Sequence, residues 1–213
     1  LLAADVEFLF DSGGYADYAV SVARAAGYSC TGPYRVPNVK SDSYSVYTNH
    51  PFATAYRGFG HIEMSYTVER TMEHLAQRLD MDPMELRLKN AIQAGDTTPS
   101  QDVLDSNTGN VAECIRRAAN LLDWDQGRNQ KVDAHRVRAK GMSAYWKAPA
   151  IPTWTNASAV VTLNEDATVN VYVGAQELGQ GAFTVAAQMA AEALGVPYEW
   201  VRVSANPVDT KYS

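Results

Sequence analysis

Val169-Asn170-Val171-Tyr172-Val173, Gly174-Ala175-Gln176-Glu177-Leu178-Gly179-Gln180-Gly181 and the run from Ala182 to Leu194 follow one another without a break. Valine at every second position is the period of a strand with one buried face. The glycine-rich segment after it is a loop. The run beyond is apolar almost all round except for the line of Thr184, Gln188 and Glu192, so it is a helix packed on most sides, and Gly195 supplies its left-handed C-cap. Upstream, Ala157, Ala159, Val161 and Leu163 alternate with Ser158, Val160 and Thr162, and Asn164-Glu165-Asp166 joins that strand to Val169–Val173 as a hairpin. Downstream, Val196-Pro197 leads into a last strand, Trp200 to Ser204.

The N-terminal part mixes the same elements differently. Val6, Phe8 and Phe10 alternate with Glu7 and Leu9 up to the turn Asp11-Ser12-Gly13-Gly14, and a short helix runs to Ala26. Tyr28 to Lys40 is loop or extended chain, and Tyr44, Val46 and Thr48 form a strand broken by Asn49-His50-Pro51. Met64, Val68, Met72, Leu75 and Leu79 then recur at helical spacing, with Glu63, Arg70, Glu73 and Gln77 on other faces. Asp82-Pro83 is an N-cap and first-turn pair, and Asn110 caps a further helix. We therefore expect an α+β chain of two small subdomains of mixed sheet with packed helices. The first spans 1–123 with helices over about 60–79, 83–91 and 110–122, the polar stretch 124–138 is a linker, and the second spans 139–213.

Composition narrows the function. Of 213 residues 46% are hydrophobic and 20% charged, and 18 Lys plus Arg against 24 Asp plus Glu leave a formal charge of −6, which offers no broad cationic surface for nucleic acid or anionic lipid. Cys30 and Cys114 are too few for a disulfide framework or an iron–sulfur cluster, so both are expected as free thiols in a reducing, cytoplasmic setting. No apolar run is long enough for a membrane helix, and the chain reads as a piece of something longer.

Two loops carry chemistry. The segment Gly174–Gly181 has the glycine spacing of a phosphate-binding loop with Gln180 where the lysine belongs, which excludes a nucleoside triphosphatase; three glycines before a helix N-terminus would still let backbone donors approach an anionic ligand. Arg57-Gly58-Phe59-Gly60 places a cation and an aromatic ring ahead of another helix, and Glu63 stands where a dinucleotide fingerprint needs its third glycine. His50, His61, His74 and His135 lack metal-ligand spacing and read as surface or capping residues, so no protein-ligated metal is expected. Glu69 and Glu73, one helical turn apart, face solvent or a neighbour.

Several of these pieces, in order, resemble the molybdenum-binding large subunit of the xanthine dehydrogenase and aldehyde oxidase family: Gly32-Pro33-Tyr34 with Val36-Pro37-Asn38, Tyr47-Thr48-Asn49, Ala55-Tyr56-Arg57-Gly58-Phe59-Gly60, Asp82-Pro83-Met84-Glu85-Leu86-Arg87-Leu88-Lys89-Asn90, and Gln176-Glu177-Leu178-Gly179-Gln180-Gly181. The resemblance spans essentially the whole chain and implies a fragment of the molybdopterin-binding region. It implies a molybdenum–molybdopterin cofactor, with its cytosine dinucleotide form left open, and hydroxylation of an aldehyde or N-heteroaromatic carbon by water-derived oxygen. Electrons would leave through Fe-S and FAD partners.

Carried over by position, Arg57, Gly58, Leu178, Gly179 and Gln180 would contact the cofactor, with Arg57 and Gln180 beside the metal's oxygen ligands and none ligating it, and Phe59 would pack against a planar substrate. The family's catalytic glutamate would lie beyond Ser213, so residues 1–213 alone would be inactive. Its partners would be the rest of the large subunit and the Fe-S and FAD subunits. Lys147-Ala148-Pro149-Ala150 departs from the purine-oxidising pattern, which disfavours xanthine as substrate. The alternative is a family-derived binding or scaffold module without cofactor.

Overall fold

The computed structural model describes residues 1–147 and 157–204, and the chain divides into two compact units, Leu1–Ala148 and Pro149–Ser213. The first unit opens with β1 (Ala3–Asp11), α1 (Ala19–Tyr28) and β2 (Asn38–Val46). The two strands are parallel, Ala3 opposite Asn38 through to Asp11 opposite Val46, a pairing that needs a crossover and receives it from α1. Phe8 is buried and Val6 and Phe10 half-buried, as their alternation requires. The second strand begins at Asn38, earlier than the β-branched run suggests, because its register is set by its neighbour. Buried Ala19, Ala23, Ala25 and Ala26 give α1 a small-residue face, and a Cβ on Gly27 would stand 2.7 Å from Ser43 Oγ, so the helix lies close on β2.

Three helices follow, α2 (His61–Arg78), α3 (Pro83–Asn90) and α4 (Val111–Leu121). Of the expected stripe of α2 Met64 and Met72 are buried and Val68 and Leu75 half-buried, Ala76 is buried as well, and Leu79 is 59% exposed because the helix stops at Arg78 and Leu79 is only its C-cap. The Asp82 carboxylate accepts from the N–H groups of Met84 at 2.8 Å and Glu85 at 3.2 Å, and Asn110 Oδ1 accepts from Glu113 N–H at 2.9 Å, so both caps form as their sequences indicate. Tyr34, Met72, Ala76, Leu86, Ile115 and Ala144 make the core beneath these helices.

The stretch 124–138 is not a free linker. It holds one 3-10 turn, Trp124–Gln126, and an antiparallel pair, β3 (Asn129–Lys131) with β4 (Val137–Ala139), and it stays with the first unit; the division falls at Ala148 and Pro149. Low apolar content signalled exposure, and exposure is compatible with attachment. Buried Trp124 donates its indole N–H to Asp82 Oδ2 at 3.0 Å, and the Arg128 guanidinium lies 5.3 Å over the Trp124 ring.

In the second unit β5 (Ala159–Leu163) and β6 (Val169–Val173) form the expected hairpin, Ala159 opposite Val173 and Leu163 opposite Val169. After α5 (Ala182–Leu194) the chain returns as β7 (Val201–Ser204), parallel to β6, giving the order β5-β6-β7. Val169, Val171 and Val201 pack against Ala187 and Ala191. Gly195 ends the helix at φ +68°, where a left-handed C-cap requires glycine. The architecture is α+β. Among the described residues no helix is long and apolar enough to cross a membrane.

Candidate functional site

Each unit contributes one of the two expected loops. In the first, Gly58, Phe59 and Gly60 are all left-handed, at φ +96°, +56° and +84°. A Cβ on Gly60 would lie 2.3 Å from the Val22 carbonyl oxygen and one on Gly58 would lie 2.6 Å from Ile62 Cγ1, so glycine is required at both places. Phe59 is the exception, a bulky residue in a region that costs it about 1–2 kcal/mol. Its half-buried ring stands 6.0 Å from the Tyr18 ring at 59°. Arg57 is exposed, with its guanidinium 5.9 Å over the Tyr56 ring.

His61 departs from the surface role expected of it. It is 2% exposed, its Nδ1 lies 3.1 Å from the Gly58 carbonyl oxygen and 3.3 Å from that of Phe59, and its Nε2 lies 3.1 Å from Ser29 Oγ. Carbonyls only accept, so Nδ1 carries the proton and Nε2 accepts from the Ser29 hydroxyl. Burial pushes this imidazole below its ordinary value of 6.5, against the opposing pull of the Phe59 carbonyl. No periodicity in the sequence marks the residue, since its partner Ser29, the C-cap of α1, lies far back along the chain.

In the second unit the loop before α5 is organised by Glu177. Its Oε1 accepts from the N–H groups of Gly179 at 2.8 Å and Gly181 at 3.0 Å, and its Oε2 from that of Phe183 at 3.2 Å. These donors, Gly181 first, hold the carboxyl below the usual value of 4.5. The helix N-terminus that the glycine spacing offers to an anionic ligand thus already faces a carboxylate of the chain itself. Gln180 is exposed, donating from Nε2 to the Gln176 carbonyl at 2.8 Å and accepting at Oε1 from Leu178 N–H at 2.6 Å. Leu178 is exposed, and Gly179 sits at φ +98°.

The helical carboxylates Glu69 and Glu73 both face a neighbour. Arg87 on α3 donates from Nε to Glu69 Oε2 at 2.9 Å, lies 3.7 Å from Glu73 Oε2, and is 1% exposed. Among the described residues no three His, Cys, Asp or Glu side chains gather as a metal site, and Cys30 and Cys114 are free thiols, one buried and one exposed. The Lys147–Ala150 departure lies largely outside the described residues.

Two family models, each described as a molybdopterin cofactor-binding domain, match residues 1–91 and 117–212. The chain belongs to the molybdopterin-binding subunits of the xanthine dehydrogenase and aldehyde oxidase family. Within this family it is 33% identical over 93% of its length to a putative xanthine dehydrogenase molybdenum-binding subunit of Escherichia coli K12, and it spans 27% of that relative. It is 43% identical over 55% of its length to the nicotinate dehydrogenase large molybdopterin subunit of Eubacterium barkeri, spanning 28% of it. The structure of quinoline 2-oxidoreductase from Pseudomonas putida 86 matches 96% of the chain and 28% of its own length with TM-score 0.72 at 23% identity, a likeness of fold. The family models break between residues 91 and 117, well before the division into compact units at Ala148.

Proposed function

We propose that this chain is part of a molybdenum-cofactor oxidoreductase that hydroxylates an aldehyde or an N-heteroaromatic carbon with oxygen from water and passes the electrons to iron–sulfur and FAD partners. The observation that carries the reading is the Arg57–Gly60 turn. A ring held at φ +56° between two left-handed glycines is a costly arrangement, and such backbone strain gathers at functional sites. Taken unit by unit the residues suit a pterin-held metal: backbone groups at Arg57 and Gly58 in the first, and in the second an exposed carboxamide at Gln180 with a glycine on either side.

When bound, the cofactor supplies the oxidising equivalents and activates water. Phe59 in the first unit would offer a face for a planar substrate; in the second unit Gln180 would present its amide N–H and Gly179 would leave room for close approach. The nicotinate and xanthine chemistry named for the relatives, and the aldehyde oxidoreductase of Megalodesulfovibrio gigas, 29% identical over 85% of this chain, support the two substrate classes. Exposed Val161, Leu163, Val185, Met189 and Leu194 support burial of the second unit's surface by the remainder of a large subunit.

The test is the full-length protein, assayed for molybdenum by elemental analysis and incubated with nicotinate or benzaldehyde and a dye acceptor in ¹⁸O-labelled water. One labelled oxygen is expected on the ring of hydroxylated nicotinate, whose ring carbon does not exchange oxygen with water; product without that label from molybdenum-loaded protein refutes the reaction. A second reading, a scaffold without cofactor, draws on one observation: Gln180 and the first amides of α5 are already satisfied inside their own loop. Full-length protein purified with no molybdenum under conditions that load other molybdenum enzymes favours that reading.

A further inference from the structure

His61 is a buried titratable residue to which the proposed chemistry gives no task. Its surroundings show one. The Arg57–Gly60 turn lies along a single face of α1 and the residue before it. Tyr18 meets the Phe59 ring, the Val22 carbonyl oxygen and the Ala26 nitrogen crowd the Cα of Gly60, and Ser29 bonds the His61 ring. Positions 18, 22, 26 and 29 recur at the spacing of one helical face. Two of these contacts are packing and place no demand on the direction of the loop carbonyls. The Gly58 oxygen also accepts from the His61 backbone N–H at 3.2 Å, and the ring N–H, shared by the Gly58 and Phe59 oxygens, turns both carbonyls to the same side. The other ring nitrogen is held by the Ser29 hydroxyl at the C-cap of α1, a helix itself seated on β2 through Gly27.

We propose that His61, anchored by Ser29, is the positioning residue that locks the Gly58-Phe59-Gly60 turn in its left-handed form and so sets where the Phe59 ring and the Arg57 backbone stand. The part of this that concerns substrate rests on the function proposed above; the lock itself does not. Asparagine places an amide N–H close to where His61 Nδ1 stands, so His61→Asn keeps the bond to the two carbonyls and loses the reach to Ser29. His61→Leu keeps bulk and loses both.

The lock is read by native-state trypsin cleavage after exposed Arg57 in the full-length protein. His61→Leu is expected to raise the cleavage rate there about tenfold while the other tryptic sites keep their wild-type rates, and His61→Asn to stay within about threefold of wild type. Ser29→Ala, which like His61→Asn loses the anchor and keeps the donor to the two carbonyls, is expected to raise cleavage about threefold and decides the matter if His61→Leu does not fold. An Arg57 site no more labile in His61→Leu or Ser29→Ala than in wild type overturns the lock, as does a His61→Asn protein as open as His61→Leu. In the cofactor-loaded enzyme the open variants should raise KM for a planar substrate about tenfold with a smaller change in kcat. An opened turn with unchanged KM leaves the lock standing and removes Phe59 from the substrate site.

Discussion

Replacing Arg87 by methionine removes a cation buried between α2 and α3 while keeping most of its volume. In the native chain Arg87 Nε donates to Glu69 Oε2 at 2.9 Å, Nη1 to the Pro83 carbonyl at 3.0 Å and Nη2 to the Glu69 carbonyl at 3.3 Å. Without it Glu73 keeps Arg128 at 2.6 Å, but Glu69, whose side chain is 11% exposed, is left with the Tyr34 hydroxyl alone. That hydroxyl already resists ionisation, through its burial and the adjacent Glu69. Removing one partner of a buried ion pair costs about 3–5 kcal/mol, and because Glu69 retains one donor and some solvent the lower end, about 3 kcal/mol, is expected. Urea unfolding followed by far-UV circular dichroism and by the fluorescence of buried Trp124 measures it. Adding Glu69→Gln should recover about 1–2 kcal/mol, since a neutral amide needs no counter-charge. A loss below about 1 kcal/mol in Arg87→Met, or strict additivity in the double variant, would refute the reasoning.

Gly60→Ala should destabilise the first unit by about 3 kcal/mol, because its Cβ meets the Val22 carbonyl in a left-handed backbone, whereas Gly95→Ala, left-handed in open space, should cost about 1 kcal/mol; equal losses in urea titrations would contradict the close approach. The Glu177 carboxyl is depressed in the folded chain, so the order it confers is complete above the ordinary value of 4.5 and lost as pH falls through the lower folded value; the amide signals of Gly179, Gly181 and Phe183 should shift below pH 4.5 in the wild type and show no such titration in Glu177→Gln. In the loaded full-length enzyme Gln180→Ala should lower turnover by about 10²–10³ with molybdenum retained, the loss typical of one preorganised donor, while Phe59→Ala should act mainly on substrate binding; wild-type turnover in a fully loaded Gln180→Ala enzyme removes Gln180 from the site.

Helix α5, the β5–β6 hairpin and the caps at Asp82, Asn110 and Gly195 were legible in the sequence because each is decided by residues within a turn or two of one another. The two loops were legible for a different reason: glycine marks backbone that other residues cannot adopt, wherever the chain then carries it. What the sequence left open was the company each polar residue keeps. For Glu69 solvent or a neighbour both stay open in the sequence, and only the packing of α3 on α2 makes Arg87 that neighbour in a buried pair. His61 has no local sign of burial, since the hydroxyl that anchors it comes from Ser29 at the C-cap of α1. Nothing local in the sequence gives Glu177 a task, and the loop aims three amide N–H groups at it only by folding back. The stretch 124–138 reads as linker until Trp124 finds Asp82 and Arg128 finds Glu73. Periodicity and capping are properties of neighbouring residues and were determined by the sequence alone. Burial of a charge or an imidazole depends on atoms brought from distant positions, and the tertiary structure decided it.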